Sequence, residues 1–149
     1  MPQTPVSKFD VGRALSDSFR RWNKLVEANL SELRLSLAEF RVLRVLFETG
    51  PRLMVTLATE QGMTPPGMTL VVDKLEDLGL VRRVRSDEDR RAINVAITGN
   101  GGEKYKRALK LYDKFVERAT YGMSTEDMTS FVATLNRILE AAEKKTTHA

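Results

Sequence analysis

Five arginines crowd one short stretch of the chain: Arg82, Arg83, Arg85, Arg90 and Arg91, with Asp87, Glu88 and Asp89 among them. Guanidinium groups suit phosphate oxygens or carboxylates, which they grip in pairs of hydrogen bonds. The three acids lower the local net charge to +2, so this is not a simple polycation. A solvated hairpin with exposed charge pairs accounts for the composition equally well. The residues in front of it shift the balance. Thr64-Pro65-Pro66-Gly67 opens a helix whose first turn offers free backbone N–H groups and a positive dipole end to a phosphate. Thr64, Gly67, Thr69, Asp73 and Lys74 fall on its outer surface, where Thr methyls and Pro rings can meet thymine methyls. A helix can enter a major groove while an arginine-tipped hairpin reaches the neighbouring minor groove.

The elements that must position these residues are legible along the chain. Ser7 with Asp10 forms a capping box, and Gly12, Leu15, Phe19, Trp22 and Val26 recur as one apolar stripe, predicting a helix from Ser7 to about Leu30. Ser36 with Glu39 opens a second helix, with Phe40, Leu43, Leu46 and Phe47 on its core face, and Thr49-Gly50-Pro51 stops it. Leu53 to about Glu60 has room for two helical turns before Gly62. Thr64 caps the next helix, with Pro65 at its first position; Met68, Val71, Val72 and Leu75 are its buried side, Leu78 its end and Gly79 the residue just beyond. These two helices and their turn read as a helix-turn-helix. Leu80–Arg85 and Ala92–Ile97 read as two strands, with Ile93, Val95 and Ile97 on one buried face. Tyr105, Ala108, Tyr112, Phe115 and Ala119 form one further helical stripe; Met128, Phe131, Leu135, Ile138 and Ala142 form another, opened by Ser124 with Asp127. Hinges are expected at Leu30–Ser36 and at Thr98–Gly102, where Gly99-Asn100-Gly101-Gly102 gives freedom.

Composition narrows the chemistry. The 149 residues are 42% hydrophobic and 30% charged, enough for a core and against disorder, with net charge +4. There is no cysteine, and the one histidine is His148. Disulfides, thiolate redox sensing, a histidine-based triad and a multi-histidine metal site therefore drop out. The acids are scattered rather than paired, so an enzyme is not expected, nor a cofactor or metal. With no apolar run long enough to span a bilayer and no secretory pattern, a cytoplasmic location is expected.

The run MTLVVDKLEDLGLVRRVRSDEDRRAINVAITGNG, within Thr64–Gly101, resembles the winged helix-turn-helix of the multiple-antibiotic-resistance regulator (MarR) family. It carries that family's succession of Asp-Lys-Leu-Glu, Gly-Leu-Val, Asp-Arg-Arg and a strand ending in Thr and Gly, and the likeness extends over about 8–143. The implied fold is mainly α with a small β-hairpin wing: a DNA-binding lobe over 31–98, flanked by dimerisation helices over 7–30 and 99–143. The resemblance implies a homodimeric repressor on pseudo-palindromic promoter DNA, released by small aromatic anions. Thr64, Pro65, Pro66, Gly67, Thr69, Asp73 and Lys74 then lie on the recognition helix, with Arg83 and Arg85 on the wing. Arg90 matches the minor-groove arginine, and Asp89 and Arg91 match residues that stabilise the wing. Arg20 and Tyr112 fall where some members hold a ligand's carboxylate and ring, with Arg21, Trp22 and Phe40 nearby. Leu15, Phe19, Tyr105, Phe115, Phe131, Leu135 and Ile138 are the expected dimer contacts, although an intrachain bundle would also bury such stripes. Leu70 stands where many members carry a basic residue, so fewer base or phosphate contacts are expected there. A ligand-independent architectural DNA binder and a winged-helix protein-interaction module are the alternatives.

Overall fold

A computed structural model describes residues 5–85 and 92–146, the last two as backbone only. The chain divides into two compact units, Met1–Phe115 and Val116–Ala149. The first contains α1 (Lys8–Leu30), a 3-10 turn (Ser31–Leu33), α2 (Leu37–Thr49), β1 (Arg52–Leu53), α3 (Met54–Glu60), α4 (Pro65–Asp77), β2 (Val81–Arg85) and β3 (Ile93–Ile97). The long helix α5 (Gly99–Ala119) runs across the division, and α6 (Thr125–Thr146) lies in the second unit. None of the described helices is long and apolar enough to cross a membrane.

Local chemistry starts α1, α2, α4 and α6 where the sequence predicts. Ser7 and Ser36 each accept a hydrogen bond from the backbone three residues on, at Asp10 and Glu39, whose carboxylates accept in return from the cap N–H groups. Ser124 and Asp127 repeat the exchange before α6. Thr64 Oγ1 accepts from the Gly67 N–H at 3.2 Å, with Pro65 in the first turn. The end of α4 is equally well determined. Gly79 takes φ 70°, its N–H donates to Glu76 O at 2.8 Å, and the Leu80 N–H donates to Leu75 O at 2.9 Å. Both bonds together make a Schellman close, which needs the left-handed conformation glycine adopts without strain.

The sheet has the order β1-β3-β2, antiparallel throughout. Two strands were expected; the third, β1, pairs Arg52 with Val95 and Leu53 with Asn94. At two residues it is too short to show an alternation. Its presence makes β3 the central strand, which changes that strand's burial. Val95 and Ala96 are both buried, on opposite faces, whereas Ile93 is exposed, so the expected single buried face of β3 is corrected. Leu78, at the end of α4 as expected, is its C-cap and is exposed.

The core of the first unit joins Val26 and Leu30 of α1, Phe40, Val42, Leu43 and Leu46 of α2, Leu57 of α3, Met68, Val72 and Leu75 of α4, and Val81 and Val95 of the sheet. The α5 side of this core is aromatic. Tyr105 stacks on Phe40 and Phe47, at 5.7 and 4.9 Å between ring centroids. Tyr112 stacks on Phe40 at 5.7 Å, and Phe115 on Trp22 at 5.1 Å. Such pairs add about 0.5–1.5 kcal/mol each beyond their area. Tyr105, grouped by sequence with the dimer contacts, is only 2% exposed, so its ring is committed to its own chain. Burial, then the charge of Glu48, pushes its phenol above the ordinary tyrosine range.

The expected hinge at Thr98–Gly102 is a correction of greater consequence. Gly99 to Gly102 form the first turn of α5. The Thr98 N–H donates to Leu80 O at 3.0 Å, the Thr98 hydroxyl donates to Gly79 O at 2.7 Å, and the same hydroxyl oxygen accepts from the Gly101 N–H at 3.0 Å. Gly101 is buried, and a Cβ there would overlap the Leu80 carbonyl and come within 2.8 Å of Ile97 Cγ1. Glycine serves close approach here, not freedom. Gly101→Ala is expected to cost about 3 kcal/mol, the upper end for overpacking, because backbone must move. Gly102→Ala is expected to gain about 0.5 kcal/mol from helix propensity, since its Cβ would meet only the Phe47 ring at 3.7 Å. Opposite shifts of the thermal midpoint for these neighbours are the check.

Candidate nucleic-acid interface

The exposed face of α4 runs through Pro65, Pro66, Thr69, Leu70, Asp73 and Lys74, with Thr64 before it and half-buried Gly67 in its first turn. The opposite face carries Met68, Val72 and Leu75, each fully buried, so the helix is held by its apolar side and presents the other. β2 lies alongside. The Arg83 N–H, on the outer edge of this edge strand, donates to Glu76 Oε1 at 2.9 Å. The Arg83 guanidinium bridges Asp73 and Glu76 of α4. Its side chain is 25% exposed.

Several residues that sequence placed on the DNA-contacting surface have partners within the chain. Arg83 is a strut between helix and hairpin, with Asp73 as one of its two anchors. Lys74 Nζ sits 2.7 Å from Glu39 Oε1, tying α4 to α2. Glu39 is 3% exposed, and its other oxygen accepts the Ser36 N–H at 3.1 Å. The Thr69 hydroxyl donates to Pro65 O at 3.0 Å within the helix. Arg85 is exposed and has no ion pair among the described residues; the same is true of Arg82, which sequence reasoning did not select. Asp89, Arg90 and Arg91 lie outside the described residues.

The expected ligand residues are less well assembled. Arg20 is exposed on α1 and pairs with Asp17, while Tyr112 is half-buried between Phe40 and Phe115. Among the described residues no hydrogen bond or ion pair joins Arg20 to Tyr112. Sequence reasoning missed a cleft of about 240 Å³ between the 3-10 turn and α5, lined by Glu32, Leu33, Arg107, Lys110, Leu111 and Lys114. Three cations, one acid and two leucines line this open surface depression. The i, i+3, i+7 spacing of Arg107, Lys110 and Lys114 was readable, but its partner across the cleft was not.

The MarR family model matches residues 35–93, from just before α2 to the start of β3. YfiV of Bacillus subtilis (strain 168), an uncharacterized HTH-type transcriptional regulator, is 31% identical over 126 residues, covering 76% of this chain and 73% of YfiV. The crystal structure of the transcriptional regulator BldR from Sulfolobus solfataricus superposes with a TM-score of 0.80 at 30% identity, covering 91% of this chain and 99% of BldR. The chain belongs to the MarR family of transcriptional regulators. Its fold is the DNA-binding winged helix of that family, in which α3 and α4 are the helix-turn-helix and β2–β3 the wing. The HTH-type transcriptional repressor Rv2887 of Mycobacterium tuberculosis (strain ATCC 25618 / H37Rv) is 39% identical over 83 residues, 56% of this chain; the match spans only 60% of that repressor's length. Escherichia coli MarR, solved with operator DNA, shares the fold at 20% identity, with a TM-score of 0.78 over 90% of this chain and 99% of MarR.

The strut carries a pH signature. The backbone N–H of Arg83, then its guanidinium, hold the Glu76 carboxyl below its ordinary range. Glu76 therefore stabilises the fold fully above the unfolded-chain value, about 4.3, and loses that contribution as the pH falls through its lower folded value. Glu76→Gln is expected to be less stable than the wild type at neutral pH, with the gap closing below about pH 4. Urea unfolding at a series of pH values reads this directly, and a gap constant across pH would contradict it.

Proposed function

We propose that this MarR-family regulator is a homodimeric repressor of pseudo-palindromic promoter DNA, with α4 in the major groove and the β2–β3 wing in the adjacent minor groove. The observation that carries the reading is the strut: Arg83 locks the wing to α4, whose outer face is uncovered, and Arg82 and Arg85 on the same strand are exposed. A groove-reading helix and a minor-groove arm must be held at fixed spacing, because DNA presents its grooves at fixed spacing. The structure of an E. coli MarR mutant complexed with operator DNA supports DNA as the partner of this fold. In this reading 31–98 is the DNA-binding lobe, while 7–30 and 99–143 supply the dimer contacts. Phe19 of α1 and Phe131, Val132 and Leu139 of α6 are exposed apolar side chains, and Leu15, Leu135 and Ile138 are half-buried. A second subunit is the economical cover for such surfaces. The role is binding rather than catalysis.

Gel-shift and fluorescence titrations on duplex from upstream of the protein's own gene, against a scrambled duplex, test the reading. A dimer neutralising about eight phosphates is expected to show log K falling with log salt at a slope of about −7. Arg90→Ala is expected to weaken binding strongly with the dimer intact by light scattering; unchanged affinity removes the wing arginine from the mechanism.

A small aromatic acid is proposed as the releasing ligand. The basic cleft favours this reading, as does the regulation of DNA binding by 6-hydroxynicotinic acid described for Bordetella bronchiseptica BpsR, a fold neighbour at 19% identity. Salicylate titrated into the protein–DNA complex is expected to lower affinity only as far as it prefers the released conformation. Loss of release in Lys110→Ala places the site in the cleft, loss in Arg20→Ala places it at Arg20 and Tyr112, and no release from wild type leaves the architectural alternative.

A further inference from the structure

We infer that α4 reads its operator through hydrocarbon, with Leu70 as the specificity-determining side chain and the C5-methyl groups of thymine as its target. The inference rests on the proposed docking of α4 in the major groove and goes beyond it by naming what the helix recognises there.

Direct readout of a base edge by hydrogen bonding needs side-chain donors or acceptors that are free to turn outward. On α4 most of them already have a partner within the chain; Asp77, exposed at its C-terminal end without an ion pair among the described residues, is an anion that phosphate repels. The Thr64 hydroxyl accepts from Gly67 N–H, and the Thr69 hydroxyl donates to Pro65 O. Asp73 and Glu76 hold Arg83, and Lys74 holds Glu39. What remains along the face at i, i+3 and i+4 is Pro66, Thr69 and Leu70. Leu70 is 71% exposed at the middle of the helix, although every other leucine or valine within α4 is buried or half-buried.

An aliphatic side chain held in water at the centre of a contact surface gains free energy only against another apolar group. In the major groove the one hydrocarbon group that distinguishes the four base-pair orientations is the thymine methyl. Freeing Lys74 as a polar reader would leave the nearly buried Glu39 carboxylate without its cation. Apolar readout leaves that pair in place.

The test starts from a random-core duplex library carried through repeated selection by the full-length protein. The enriched duplex is then resynthesised with deoxyuridine at each thymine in turn, which deletes one methyl group and keeps the pairing. Wild type is expected to bind about fourfold more weakly for each contacted methyl removed, the ratio matching about 0.8 kcal/mol per buried carbon. Leu70→Ala, at an exposed position where alanine favours helix, is expected to weaken binding to the thymine duplex and to bring the thymine-to-uracil ratio near one. Selective binding with equal wild-type affinity for both duplexes overturns the inference and leaves the docking of α4 standing. A thymine preference that persists undiminished in Leu70→Ala overturns Leu70 as the reader. No enrichment of any sequence, with no salt-sensitive duplex binding, overturns the DNA-binding reading and the inference with it.

Discussion

The backbone carbonyl of Leu80 is the point on which the winged-helix lobe turns. It accepts the Thr98 N–H, and Gly101 packs so closely against it that no side chain fits between. The Thr98 hydroxyl closes the junction by bonding both Gly79 O and the Gly101 N–H. Three elements meet there: the end of α4, the open end of the β2–β3 hairpin and the first turn of α5. Because each contact is backbone or nearly so, the directions of the recognition helix, the wing and the long helix are set together. A displacement of α5 within the first unit therefore has no soft glycine run to absorb it, and must carry the hairpin or strain the junction.

The charges on α4 and β2 make sense in the same terms. Acids among arginines would repel phosphate if they were unpaired at a DNA surface. Asp73 and Glu76 instead neutralise Arg83 and turn it into a brace, while Lys74 covers the nearly buried carboxylate of Glu39. Half-exposed pairs of this kind contribute little stability. Their larger effect is orientation: the helix is tied at two points, to α2 and to the wing, in addition to its apolar face. The outcome is a helix α4 rich in polar residues by sequence, of which several are paired within the chain by structure.

Beyond the lobe, α5 serves two purposes along its length. Its stripe of Tyr105, Ala108, Tyr112 and Phe115 is used within the first unit, through rings from α1 and α2. The same period in α6 leaves Phe131, Val132 and Leu139 exposed. Two stripes indistinguishable in sequence therefore have different fates. Periodicity reports that a face is apolar, and is silent on which surface covers it.

Much of what depends on neighbours a few residues away was legible in the sequence alone; the Thr98 cap on the Gly99–Gly102 turn was not, because glycines there read as freedom. The capping boxes at Ser7, Ser36 and Ser124, the Thr64-Pro65 start of α4 and its Gly79 close are bonds between groups that the chain itself holds within reach, so residue type and spacing suffice. The resemblance to the MarR family was carried by a longer succession of such local signals through α4 and the hairpin. Tertiary structure alone decided the existence of β1, the burial of Ala96, the bracing task of Arg83, the inward commitment of Tyr105 and the packing task of Gly101. Each rests on a partner distant along the chain: Val95 for Arg52, Asp73 and Glu76 for Arg83, Phe47 for Tyr105, Leu80 for Gly101. A side chain's type limits what it can bond or exclude. Which group it meets is settled only when the folded backbone brings the two together.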